Sequence, residues 1–275
     1  MTTPALLLEC RDVVVGFRAK HGEGTFYAVS EANLTVGVGE VLGLVGESGS
    51  GKSTLARVVV GLQPVESGSV MFEGRPLGNR RSLADRSGIQ MVFQDPYSSL
   101  DPRMTIRTTL AEMIRRHSDL RGAGLRSRCT ELLDLVQLPS SILDSKPAGM
   151  SGGQRQRVAI ARALSAQPRL LVADEAVAAL DVSVQAGIIN LLADLRQDTG
   201  LSILFISHDL SIVRTLCDRV SVIHRGVIIE EQACADLFNH PRSEYTRTLL
   251  DAIPRIHGPR SVGLAAGRGL HPGRP

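Results

Sequence analysis

The sequence predicts an α/β fold built on a mostly parallel sheet, and three observations carry that expectation. Short apolar runs that suit buried strands alternate with stretches of helical periodicity over the second half of the chain. Residues Gly46-Glu47-Ser48-Gly49-Ser50-Gly51-Lys52-Ser53 form a complete G-x-x-x-x-G-K-[ST] loop between an apolar strand and a helical pattern, the context that this motif requires. Hydrophobic residues make up 43% of the 275, aromatic residues only 3%, and Trp is absent, which suits an aliphatic core and argues against an aromatic platform for stacking bases.

Along the chain, 6–9, 13–17, 27–29, 34–36 and 41–45 read as short strands punctuated by Gly and charge. A helix is expected over 51–62, then strands at 69–72 and 89–93. From 104 to 138 the pattern turns helical, with Leu110, Met113 and Ile114 and later Leu132, Leu133 and Val136 on one face. A further helix starts at Ser151. Strands at 170–173, 203–206 and 220–223 alternate with helices at about 182–197 and 210–217, and 226–231 reads as a closing hairpin strand. No internal repeat is present, so one nucleotide-binding unit is expected. The last twenty or so residues are rich in Gly, Pro and Arg and are expected to be disordered.

The glycines of the 46–53 loop allow successive backbone N–H groups to face an anion at a helix N-terminus. This predicts a nucleoside triphosphate with Mg²⁺, with Lys52 on the β- and γ-phosphates and the Ser53 hydroxyl on the metal. The strand 170–173 runs into Asp174 and Glu175. In a phosphate-loop fold such a strand lies beside the loop, its Asp on Mg²⁺ and the adjacent Glu as general base for water. A net charge of +3 is too small to imply a polyanion, so no nucleic acid partner is expected. The four cysteines are scattered without a C-x-x-C pair, which reads as reduced thiols of a cytosolic protein. Neither a signal peptide nor a membrane-spanning run is expected.

Met150-Ser151-Gly152-Gly153-Gln154-Arg155-Gln156-Arg157 decides a family. It resembles the signature of the ATP-binding cassette (ABC) ATPases, and the resemblance spans about residues 6–255. It implies a RecA-like core, an antiparallel β subdomain and a helical lobe inserted at about 96–150, with 256–275 as a tail. It further implies that Gln94 is a Mg²⁺ ligand at the hinge to that lobe, that His208 contacts the γ-phosphate, and that Asp181 belongs to the loop after Glu175. Phe17 is placed as the adenine-stacking aromatic, with Tyr27 as second choice. The nucleotide contacts implied on the loop are Gly46, Glu47, Ser48, Gly49, Ser50, Gly51, Lys52, Ser53 and Thr54, with Lys52, Glu175 and His208 serving hydrolysis. Ser151, Gly152, Gly153 and Gln154 would meet the nucleotide held by a second cassette, so ATP would act as glue between two subunits. Three positions depart from the family pattern: Met150 for Leu, Ala176 for Pro and Ala178 for Ser. The last removes a hydroxyl that could bond across the dimer, which implies slower hydrolysis or weaker coupling.

Residues 91–103, Asp181-Val182-Ser183-Val184-Gln185-Ala186, and Phe238 to Pro254 resemble cassettes of peptide and nickel importers. Longer members of that group carry a C-terminal cysteine cluster; this chain matches the shorter kind. The resemblance implies a subunit on the cytoplasmic face of the membrane, paired with a like or unlike cassette. Two transmembrane permease subunits and an extracytoplasmic substrate-binding protein would complete the system. The alternative is a soluble ABC ATPase acting on ribosomes or DNA, but this chain has neither the second cassette nor the long coiled coils of those relatives. A catalytically dead binding module is opposed by the intact Lys52, Asp174, Glu175 and His208. A guanine-reading motif is absent.

Overall fold

The computed structural model describes residues 5–18, 24–95 and 99–252. The expected tail, residues 253–255 of the expected cassette, and Pro96, Tyr97 and Ser98 lie outside the described residues. In chain order the elements are β1 (Leu6–Arg18), β2 (Thr25–Gly37), β3 (Val41–Val45), α1 (Lys52–Val59), β4 (Ser67–Phe72), β5 (Arg75–Pro76), α2 (Leu83–Gly88) and β6 (Ile89–Val92). They continue with α3 (Ile106–His117), α4 (Gly122–Leu135), α5 (Gly152–Leu164), β7 (Leu170–Asp174), α6 (Val182–Thr199), β8 (Ser202–Ser207) and α7 (Leu210–Leu216). The last four are β9 (Arg219–His224), β10 (Val227–Ala233), α8 (Cys234–Asn239) and α9 (Glu244–Asp251).

Two sheets result. An antiparallel one has the order β2-β1-β4-β5, and the larger has the order β10-β9-β3-β8-β7-β6, parallel except for β10. The strands of the parallel part are buried along nearly their whole length, as their continuous apolar runs require. One apolar cluster fills the space between the two sheets around α1; the other packs α3 to α7 against the far side of the parallel sheet. Both are aliphatic apart from Phe72, Phe205 and the rims. Among the described residues, no helix is long and apolar enough to cross a membrane, and all four cysteines are free and buried.

Several element boundaries differ from the sequence reading. The four short strands expected before residue 37 are two long ones. The charged breaks are bulges: Asp12 and Glu31 adopt left-handed backbone at φ 49°, and Asn33 ties across by donating from Nδ2 to Asp12 Oδ1 at 3.0 Å. The helical stretch expected over 104–138 is two helices. The chain leaves α3 at Ser118 and turns at Gly122, whose φ of 53° suits glycine. Helices α2, α8 and α9 have only six, six and eight residues, too short for a helical period to stand out in the sequence. The first is instead specified by its cap, in which Ser82 and Asp85 exchange side-chain and backbone hydrogen bonds. The closing hairpin turns on Arg225 and Gly226, both with positive φ, the two-residue turn that matches strand twist.

The acidic strand is not the hydrogen-bonded neighbour of the strand that feeds the loop. β8 stands between β3 and β7. The two strands run parallel and end at one edge, so Asp174 still reaches the residues that follow β3, and α1 packs against β7 as well.

Candidate active site

The 46–53 loop leaves β3 and wraps over the N-terminus of α1. Its curvature depends on two glycines. At Gly46 a Cβ would lie 2.2 Å from the Ile223 carbonyl oxygen; at Gly51, with φ 108°, it would lie 2.3 Å from the Ala28 carbonyl oxygen. Both neighbours are backbone, so neither can swing aside. Gly51→Ala is expected to push the loop off β2. Loss of nucleotide binding by calorimetry, together with a lower melting temperature, is the expected result.

Lys52 is 4% exposed and donates from Nζ to the carbonyl oxygens of Gly46 (2.8 Å) and Glu47 (2.7 Å), which holds its ammonium at the centre of the loop. Burial pushes this group below the usual lysine range, against the pull of Glu175, Asp174 and Glu47. The buried Ser50 hydroxyl has no hydrogen-bond partner. An orphaned polar atom inside a ring of glycines fits a site shaped for an anion.

Ser53 Oγ donates to Asp174 Oδ1 at 3.0 Å, joining the first turn of α1 to the end of β7. Burial raises the Asp174 carboxyl above its ordinary range, Glu175 adds to the rise, and Ser53, Arg57 and Lys52 oppose it. A hydroxyl and a desolvated carboxylate are the oxygen donors that Mg²⁺ accepts, and a divalent cation would relieve the cost of keeping Asp174 ionised. The sign for stability follows. A carboxyl raised in the folded state binds more protons there than in the unfolded chain. Its destabilising effect therefore sets in as pH climbs from the ordinary Asp value through the raised one, and is full above it. Asp174→Asn is expected to raise the melting temperature of the nucleotide-free protein at pH 7, with the gain fading toward pH 4, while ATP hydrolysis is lost.

Glu175 directly follows the strand with φ 49°, a left-handed backbone that strains a residue of this type. Its N–H still donates to the Ile206 carbonyl oxygen at 3.0 Å, and its own carbonyl accepts from the Ala178 N–H at 3.0 Å, so the turn closes without the expected Pro or Ser. Glu175 Oε1 lies 3.3 Å from His208 Nδ1, just beyond β8.

A cleft of about 400 Å³ opens over these groups, lined by Phe17, Ser48, Gly49, Gly51, Lys52, Ser53, Thr54, Gln94 and Glu175 from the sequence reading, with Phe26 and Ala28. Asp174 joins it through Ser53, and His208 through Glu175. Tyr27, the second choice for the aromatic, faces elsewhere. Side chains alternate along β2, and Phe26 is the residue directly opposite Phe17 in the hairpin. Phe26 is 64% exposed at the cleft mouth and was missed. The pairing of Phe17 with Phe26 was its signal.

Ser151, Gly152, Gly153, Gln154 and Asp181 are not among the residues lining this cleft. They form a second surface. Ser151 caps α5 and accepts from the Gln154 N–H, while Gln154 Oε1 accepts from the Ser151 N–H. A Cβ on Gly153 would meet Val184 at 2.5 Å and one on Gly152 would meet Leu180 at 3.2 Å, so the start of α5 lies directly against the segment around Asp181. Val182 beside it is 81% exposed.

Residues 29–178 match the family model described as ABC transporter. The chain belongs to the ABC transporter family. It is accordingly an ATP-binding, ATP-hydrolysing cassette. A Brucella abortus (strain 2308) protein, provisionally named a peptide import ATP-binding protein, is 46% identical to this cassette over 258 residues, covering 92% of this chain and 77% of its own. The oligopeptide transport ATP-binding protein OppF of Lactococcus lactis subsp. lactis (strain IL1403) is 45% identical over 232 residues, covering 83% of this chain and 73% of its own. Among solved structures, the ATP-binding cassette MJ0796, as a dimer in a post-hydrolysis state with ADP and Pi, superposes with a TM-score of 0.74 at 29% identity, covering 83% of this chain and 99% of that one. The cbiO1 cassette of Clostridium perfringens gives 0.76 at 28%, covering 92% and 97%.

Proposed function

We propose that this cassette powers a peptide importer by hydrolysing ATP in the cleft over α1. The observation that carries the reading is the convergence of Lys52, Ser53, Gln94 and Glu175 on one cleft, with Asp174 and His208 tied to it. The loop amides and Lys52 Nζ take the phosphates, trading the two carbonyl bonds of Lys52 for charge-assisted ones. Phe17 and Phe26 flank the base. Ser53, Asp174 and Gln94 hold Mg²⁺, which when bound neutralises charge on the β- and γ-phosphates. Glu175 accepts the proton of the water that attacks the γ-phosphorus in line with the departing ADP oxygen. His208, 3.3 Å from that carboxylate, orients it and in this reading contacts the γ-phosphate. The products are ADP and phosphate.

The second surface supports a paired cassette. The start of α5 presents a helix N-terminus of small residues, and Val182 exposes apolar area that a partner would cover. In this reading ATP closes the pair, because its γ-phosphate binds the closed state better than the open one. Closure moves two transmembrane permease subunits at the cytoplasmic face, fed by an extracytoplasmic substrate-binding protein. Peptides are favoured as cargo over nickel because the relatives described above are named for peptide transport. The test is purification of this chain from its native membranes in mild detergent. Two multi-span permeases, a second cassette and ATPase activity stimulated by peptide-loaded binding protein are expected. Recovery with ribosomes or DNA-repair factors overturns the importer reading.

A further inference from the structure

The last helix among the described residues, α9, holds the phosphate loop from behind. Tyr245, in the first turn of α9, reaches back so that its hydroxyl accepts a hydrogen bond of 3.1 Å from the Glu47 N–H. The two residues are 198 positions apart. The Tyr245 ring rests on His224, with centroids 4.0 Å apart. His224 ends β9 directly after Ile223, whose carbonyl oxygen abuts Gly46. The loop's first two residues are therefore walled by β9 and tied to α9. The helix itself is anchored by Glu230 of β10, which is 7% exposed. Its carboxylate accepts from Thr246 Oγ1 (2.5 Å), Gln232 Nε2 (2.5 Å), Arg242 N (2.8 Å) and Ser243 N (3.0 Å). That anchoring fixes the side chain that bonds the Glu47 amide.

We infer that Tyr245 is a positioning residue for nucleotide binding, fixing the Glu47 amide and with it the curvature of the loop before the triphosphate arrives. Glu47 is exposed, so water can replace the tyrosine oxygen in the nucleotide-free protein at little cost to the fold. What is lost without the hydroxyl is preorganisation, which appears as weaker binding. Tyr245 is not among the cleft-lining residues, so the chemical step should not feel its removal. The inference rests on the assignment of 46–53 as the phosphate loop.

The test uses the full chain and Mg-ATP. Tyr245→Phe keeps the ring on His224 and removes only the acceptor. KM and the calorimetric Kd for ATP are expected to rise about three- to tenfold, the range of one net hydrogen bond. The kcat should stay within about twofold, and the nucleotide-free melting temperature should hold, the pattern of lost binding without lost chemistry. An unchanged Kd, or a parallel fall in kcat and melting temperature, overturns the inference. Thr246→Val removes the side-chain bond from α9 to Glu230, loosening the anchor, and is expected to raise KM in the same way, with no further rise in the double variant; additive effects would show that the anchor does not act through Tyr245. Lys52→Ala separates the two failures. If it weakens ATP binding while Tyr245→Phe changes nothing, only the tyrosine's role falls; if it leaves binding intact, the loop assignment falls with it.

Discussion

Glu175→Gln is expected to cut ATP hydrolysis by about a hundredfold to ten-thousandfold, the usual contribution of a positioned general base, while leaving ATP affinity nearly unchanged. The amide keeps the size of the carboxylate and can still meet His208, now 3.3 Å from Oε1. It cannot take a proton from water. ATP therefore persists, and with it the paired state that the γ-phosphate stabilises. Phosphate release would read the first effect, and size-exclusion chromatography with ATP but not ADP would read the second. Hydrolysis at the normal rate would remove Glu175 from the role of base and leave His208 as the candidate.

Lys52→Ala is expected to weaken ATP binding by about tenfold to a hundredfold, the worth of hydrogen bonds to a charged group. Here the loss has two parts. The ammonium is absent from the phosphates, the Gly46 carbonyl oxygen loses its donor, and the Glu47 carbonyl oxygen keeps only the Ser50 N–H at 3.2 Å. Because burial lowers the lysine's affinity for its proton, the free ammonium is held at a cost that phosphate binding relieves. Arginine at this position should not rescue the activity, since its planar fork does not match two carbonyls behind a tight loop. Calorimetry with ATP and with ADP measures the effect, and unchanged affinity would overturn the assignment.

What the sequence made legible and what it hid divide along distance in the chain. The 46–53 loop announces itself because eight adjacent residues do one job. Asp174 and Glu175 follow because an apolar run ends on them, and His208 because it stands just beyond another. The sheet was readable for the same reason: β3, β7 and β8 each carry an apolar run. The early strands were misdivided because Asp12 and Glu31 look like breaks when each is a bulge within a continuous ladder. Phe26 was missed because its meaning lies in being opposite Phe17, and Tyr245 because its contact with Glu47 spans most of the chain. Neither has a local pattern. Helices α8 and α9 are only six and eight residues long, and what anchors α9 is a buried glutamate on β10.

The strand order carries a consequence for synthesis. The hydrogen bond from Ser53 to Asp174 joins two segments that share no strand pairing, because β8 separates β3 from β7. A nascent chain stopped before Ser202 holds the loop, the acidic pair and all the residues between, yet lacks the strand that sets them side by side. The loop strand must wait for a segment made last among the three, and until then its Val41–Val45 face and that of Leu170–Asp174 stand uncovered. Parallel pairing of this kind closes late and slowly. Translation beyond Ser207 is thus the moment at which this chain first holds the strand that sets the loop beside the acidic pair, and chaperone demand should peak just before it.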